Sequence, residues 1–234
     1  LLVHFYFLRK TDFKFSLSYD IKDSNFKEMV ILFVPIMFST GVYQVSLLID
    51  TLIAARLPVG SISLLTYANA VISMINLLLL GNITSFIYPK LVKKNDNKER
   101  QRSFIDYILL VNTLMCLIVV LFYSIGREGI SILFERGEFT SENTTKVFLV
   151  SLILSISLPS NGLRDLMYRY FYINKDTYTP FKNSIVVSLI NITLSIILSI
   201  FIGLPGVVLG TVLASFLSLV FISIKFKNKF QIHF

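Results

Sequence analysis

Long uncharged, apolar stretches alternate with short charged ones along this chain, and that pattern is its strongest signal. Uncharged runs cover residues 29–49, 57–89, 107–126, 147–163 and 183–224. A helix needs about 20 apolar residues to cross roughly 30 Å of hydrocarbon, so the first four runs each predict one span. The fifth holds two, divided at GLPG (203–206), where Gly and Pro punctuate a turn. Six spans follow, near 30–54, 62–87, 104–125, 147–173, 182–202 and 206–224. The runs are too long and too continuously apolar for barrel strands, and backbone in lipid must satisfy its own hydrogen bonds. The predicted fold is all-α: a polytopic transmembrane bundle of six spanning helices plus an N-terminal helix stub, LLVHFYFL (1–8). Residues 1–28 read as a truncated helix end and cytoplasmic linker, and 29–234 as the bundle.

Composition agrees. Of 234 residues, 54% are hydrophobic and only 15% charged, with mean hydropathy +0.72, whereas a soluble surface needs about a quarter charged. The net charge of +8 does not call for nucleic acid, because the 22 Lys and Arg segregate. Alternate connections, with the helix ends at Arg164 and Arg169, carry 18 of them, and the others carry 4. The positive-inside rule places the 18 in the cytoplasm with both chain ends. Cys116 is alone, and His4 and His233 lie at opposite ends, so neither a disulfide framework nor a zinc site is expected.

Polar residues inside the spans carry the functional information, because each needs a partner or water in hydrocarbon. Thr66, Asn69, Ser73 and Asn76 share one face of the second span, and Ser184, Ser188, Asn191 and Ser195 one face of the fifth. Such stripes either line a hydrated cavity or hydrogen-bond helix to helix. Asp50, near the outer end of the first span, needs a cation, a donor or a proton. Asn191, Ser195 and Thr211 could complete an oxygen site for a monovalent cation, sodium being the candidate, while water or Arg56 is the alternative. Asp165 and Arg169 are spaced for a local ion pair, leaving Arg164 to meet an anion or snorkel to the surface. Pro159 predicts a kink in the fourth span. Gly206, Gly210, Ala214 and Ser218 form a small-residue stripe for close helix packing. The 90–103 connector is basic and suited to anionic headgroups, and 127–146 reads as a short interfacial helix and loop. No GxSxG, P-loop, HExxH or Cys–His pair is present, so no enzyme is expected.

QVSLLIDTLIAARLPVGSISLLTYANA (44–70), YPKL (88–91), ILFERGEFT (132–140) and LRDLMYRYFYINKDTYTP (163–180) with NITLSIIL (191–198) together resemble the MurJ family of bacterial lipid II flippases, of the MOP exporter superfamily. The resemblance covers nearly the whole chain but only about the seventh to twelfth helices of the family. It implies translocation of lipid-linked peptidoglycan precursor (lipid II), for cell wall biogenesis and cell shape, by alternating access between two pseudo-symmetric lobes. Membrane lipids and the missing first-lobe helices would be the partners, with no nucleic acid. It also implies a cavity, for which Gln44, Ser63, Asn69, Ser73, Asn76 and Arg164 are the candidates, and a cation site at Asp50, Asn191, Ser195 and Thr211. Ser195 stands where an Asp would strengthen that site, and Ala70 where the family typically has a cavity arginine. The alternatives are export of another polyprenyl-linked saccharide, or a truncated membrane protein that transports nothing.

Overall fold

The fold was analysed in a computed structural model that describes residues 23–94 and 96–231; the predicted stub 1–8, His4 and His233 lie outside them. The described residues form helices and turns without strands. Helix α1 (Ser24–Ala54) begins where the Asp23 carboxylate accepts from the Asn25 backbone N–H at 3.0 Å. The first span thus starts inside the segment read as a linker. Gly60, at φ +93°, supplies a left-handed turn before α2 (Ser61–Ile75). A π-helical segment, Asn76–Gly81, joins α2 to α3 (Asn82–Val92), and the three make one span. The connector expected over 90–103 is largely helical, because α3 runs to Val92 and α4 (Asn97–Phe134) begins where Asp96 caps the Lys98 N–H at 3.1 Å.

Helix α4 corrects the reading of 127–146. Its 38 residues extend about 57 Å, nearly twice the hydrocarbon thickness, so Arg127–Phe134 are its outer turns rather than a separate interfacial helix. The fourth span is α5 (Ser141–Ser155) and α6 (Leu158–Ile173), bent by 45°. Pro159 sits in the first turn of α6, where its missing N–H costs nothing, so the expected kink is a full break. Helices α7 (Tyr178–Ile202) and α8 (Leu204–Phe230) turn sharply at Gly203, φ +65°. Among the described residues five helices are long and apolar enough to cross a membrane, and six if the bent pair α5–α6 counts as one span.

Each end of the bundle is held by its own set of contacts. At one end Lys175 pairs with Glu28, Lys229 Nζ lies 2.5 Å from Asp176 Oδ2, and Gln101 Nε2 donates to the Phe230 carbonyl at 3.3 Å. Burial raises the Asp176 pKa, but hydrogen bonds from Lys229 and from the Thr179 backbone and hydroxyl outweigh it, holding the carboxyl below its ordinary range. At the other end Tyr67 packs edge-on against Phe134 and Phe139. Glu135 accepts from Ser131 and Thr144 there, and those bonds hold its pKa below the ordinary glutamate value.

Helix α8 is the most enclosed. Its small-residue stripe lets α7 approach: a Cβ added at Gly206 would lie 2.3 Å from the Leu198 carbonyl oxygen, and one at Gly210 2.6 Å from the Ser195 nitrogen. Phe104, Tyr170, Phe171 and Phe226 fill the core at the charged-loop end, with Phe104 and Phe226 stacked at 5.0 Å. By contrast α1 buries only Ser46, Asp50 and Ala54, all on the side facing α7 and α8.

Candidate functional site

The buried side of α1 is polar at its outer half, and α7 and α8 meet it with oxygen and amide groups. Asp50 is 3% exposed, and no cationic side chain pairs with it among the described residues. Arg56 does not supply the partner, and the carboxylate does not reach water. Asn191 Nδ2 donates to Asp50 Oδ2 at 3.3 Å and to Ser46 Oγ at 2.9 Å. Thr211 Oγ1 lies 3.3 Å from Asp50 Oδ2 and 3.4 Å from Asn191 Oδ1. Ser195 Oγ donates to Asn191 Oδ1 at 2.9 Å and lies 3.2 Å from the Val207 carbonyl. The structure therefore brings Asp50, Asn191, Ser195 and Thr211 together from three helices.

One atom of this cluster is left over. Asp50 Oδ1 is buried and has no hydrogen-bond partner among the described residues. A buried carboxylate oxygen in that condition costs free energy unless a cation or proton meets it. Beside the Asn191 amide nitrogen, which donates to Asp50 Oδ2, the cluster offers oxygen atoms: Asn191 Oδ1, the Thr211 and Ser195 hydroxyls and the Val207 carbonyl. Such a set suits a hard cation, and a single carboxylate suits one positive charge. No group of three or more His, Cys, Asp or Glu suited to a transition metal occurs among the described residues.

A cavity of about 200 Å³ opens beside the cluster, between α1, α6, α7, α8 and the π-helical segment. Arg164 and Asp165 are its charged lining, and Ser46, Asn76, Asn161, Ser188, Asn191, Thr211 and Ser215 are among its polar groups. Arg164 is half-buried and makes no ion pair among the described residues; its guanidinium sits 5.9 Å from the Tyr168 ring centre. Asp165 instead takes Arg169, at 3.4 Å, as the four-residue spacing predicts. Asn76 Oδ1, like Asp50 Oδ1, is buried without a partner among the described residues.

The two polar stripes divide their labour. Along α7, Ser184 sits 2.6 Å from Ser39 of α1, while Asn191 and Ser195 belong to the Asp50 cluster. That stripe is helix-to-helix bonding at both levels, and Ser188 between them faces the cavity. Of the second-span stripe only Asn76, the first residue of the π-helical segment, reaches the cavity; Asn69 is half-buried and Thr66 and Ser73 are exposed. Of the other cavity candidates, Gln44 is exposed, and Ser63 lines a separate outer pocket with Tyr67, Glu138 and Asn143.

Four contributors escaped the sequence reading. Ser46 and Tyr43 precede Asp50 by four and seven residues, a helical spacing that could have found them. Asn161 likewise precedes Arg164 by three. The Val207 carbonyl carries no side-chain signal at all.

The family model for the lipid II flippase MurJ matches residues 1–234. A probable lipid II flippase MurJ of Rickettsia prowazekii is 26% identical over 220 residues, covering 91% of this chain and 42% of the relative. Its namesake from Thermotoga maritima is 29% identical over 202 residues, covering 86% and 42%. That of Helicobacter pylori strain J99 is 28% identical over 236 residues, covering 92% and 51%. Among solved structures, a lipid II flippase MurJ in an inward closed conformation superposes with TM-score 0.71 at 27% identity, over 96% of this chain and 48% of that one. An outward-facing MATE family transporter of the MOP superfamily gives 0.70 at 16% identity over 84% of this chain and 44% of that one, a likeness of fold alone. The chain spans about half the length of the relatives it matches. With the family model matched from end to end and the bundle shared, this multi-pass membrane chain belongs to the lipid II flippase MurJ family.

Proposed function

We propose that this chain forms one lobe of a lipid II flippase and contributes an anion contact and a cation site to its transport cycle. The observation that carries the reading is the adjacency of the Arg164 cavity to the Asp50 cluster, which share Asn191 and Thr211. Lipid II carries a pyrophosphate and sugars that need polar surroundings within the membrane, and an unpaired guanidinium suits a pyrophosphate. Asn76, Asn161 and Ser188 supply hydrogen-bonding groups around it, while the polyprenyl tail stays in lipid. Gln44, Ser63, Asn69 and Ser73 are assigned to the open face, toward the other half of the relatives' length.

The cation, sodium by this reading, is held by Asp50, Asn191, Thr211, Ser195 and the Val207 carbonyl. When bound it neutralises the carboxylate. The residues themselves tie α1 to α7 and α8, so the state of Asp50 sets how tightly α1 packs. Alternating access needs an element with two packings, and α1, with little else buried, is the candidate. The basic end of the bundle and both chain ends are assigned to the cytoplasm.

Ala70, where the family typically has arginine, favours a second reading in which the cargo is another polyprenyl-linked saccharide. Complementation of a flippase-depleted strain by the intact protein distinguishes them. Lipid II transport predicts rescue by the wild type and loss of rescue by Arg164→Ala at equal membrane abundance. Rescue by Arg164→Ala at the wild-type level would contradict the assigned role of Arg164, and no rescue by the wild type would favour the other cargo.

A further inference from the structure

A second cavity, of about 430 Å³, lies away from the Asp50 cluster at the basic end of α7 and α8. Its walls are Val186, Phe221 and Ile224, with the stem of Asn183 behind them. Its mouth carries Tyr178, Lys182 and Lys225. Neither lysine makes an ion pair among the described residues, and no carboxylate lines the cavity. The nearby Asp176 is already engaged by Lys229. Lys182 lies 4.4 Å from the Tyr178 ring centre, which orients its ammonium at the mouth.

Depth fixes what can enter. From Lys182 to Ile202 the helix rises about 30 Å, the thickness of the hydrocarbon core, and from Leu204 to Lys225 about the same. Both ammonium groups therefore stand at the level of the lipid headgroups; Val186 and Phe221 lie about one turn deeper, in the acyl region, and Ile224 adjoins Lys225 at its edge. The cavity is amphipathic along the membrane normal, cationic at the interface and apolar beneath.

We infer that this groove is a binding site for an anionic glycerophospholipid, whose phosphate is held between Lys182 and Lys225 and whose acyl chain lies along Val186, Phe221 and Ile224. Charge complementarity selects the headgroup, since two uncompensated lysines at the interface favour an anionic lipid over a zwitterionic one. Continuity of the apolar walls below the lysines selects a lipid over free phosphate. The groove shares no lining residue with the cavity of Arg164, so its lipid is a separate ligand from the cargo of the proposed function.

The test is titration of phosphatidylglycerol, and separately of phosphatidylcholine with the same chains, into the intact detergent-solubilised protein, with bound lipid read by native mass spectrometry. The wild type retains a first phosphatidylglycerol more tightly than phosphatidylcholine. The double variant Lys182→Gln/Lys225→Gln weakens that binding roughly tenfold, from the loss of two interfacial charges. The pair Lys27→Gln/Lys227→Gln removes the same charge elsewhere at the same end of the bundle and leaves it unchanged. Val186→Trp fills the groove and displaces the lipid with both lysines intact, and millimolar inorganic phosphate does not compete. Equal loss in the two lysine pairs would reduce the effect to bulk charge and overturn the site. Undiminished binding in Val186→Trp, or displacement by inorganic phosphate, would overturn the acyl seat.

Discussion

Replacing Gly206 by alanine asks whether α7 and α8 are held by backbone proximity. A Cβ there would lie 2.3 Å from Leu198 O, 2.4 Å from Leu198 C and 2.7 Å from Ser199 N. All three are α7 backbone, so no side chain can rotate away. Restoring ordinary contact, which begins near 3.4 Å, requires the helices to part by about 1 Å. Overpacking of this kind costs about 1–3 kcal/mol. Alanine returns up to ~1 kcal/mol through helix propensity, so a net loss near 1–2 kcal/mol is expected. Gly129 on exposed α4 is the internal control, because a Cβ there meets nothing within 4 Å and only the propensity gain applies. Unfolding by sodium dodecyl sulfate in mixed micelles, followed by far-ultraviolet circular dichroism, should rank Gly129→Ala above the wild type and Gly206→Ala below it. Equal stability of the two variants would refute the close-approach argument.

Three further outcomes are expected. Ser195→Asp adds a second carboxylate to the Asp50 cluster and should tighten sodium binding, measured by calorimetry; an unchanged or weaker affinity would remove Ser195 from the site. Asp176→Asn should cost about 1 kcal/mol at neutral pH, since the bridge to Lys229 is partly exposed. The Asp176 pKa lies below its ordinary 3.8, so its stabilisation is complete above that value and fades as pH falls through the lower folded one. The variant should therefore show a shallower acid limb in a pH series of melts, and an unchanged limb would contradict the assignment.

Much of this architecture was legible because bilayer thickness and the cost of polar groups leave a strong mark on sequence. The uncharged runs located the long apolar helices, GLPG located the α7–α8 turn, and Pro159 located the break between α5 and α6. The Asp50 set was legible because a lone carboxylate in hydrocarbon must find partners, and few polar side chains were on offer. Charge misled at the C-terminal end of α4, since Arg127 and Glu128 lie within the helix, which runs on to Phe134. The π-helical segment left no trace, because NLLLLG (76–81) is as compatible with α-helix, and the extra backbone turn is a tertiary outcome. The fate of the α2 stripe was also hidden: periodicity says which residues share a face, not what the face meets. Here Asn76 meets the cavity, while Thr66 and Ser73 face outward.

The account stands most directly on Asp50 Oδ1, the buried carboxylate oxygen that its own neighbours leave unbonded. Thermal unfolding of the purified intact protein against sodium concentration, at constant ionic strength with choline as the replacement cation, measures whether a cation completes it. Sodium at ten times its dissociation constant should stabilise the wild type by about 1.4 kcal/mol, while Asp50→Asn should not respond. An identical sodium response in Asp50→Asn, or none in the wild type, would contradict the account.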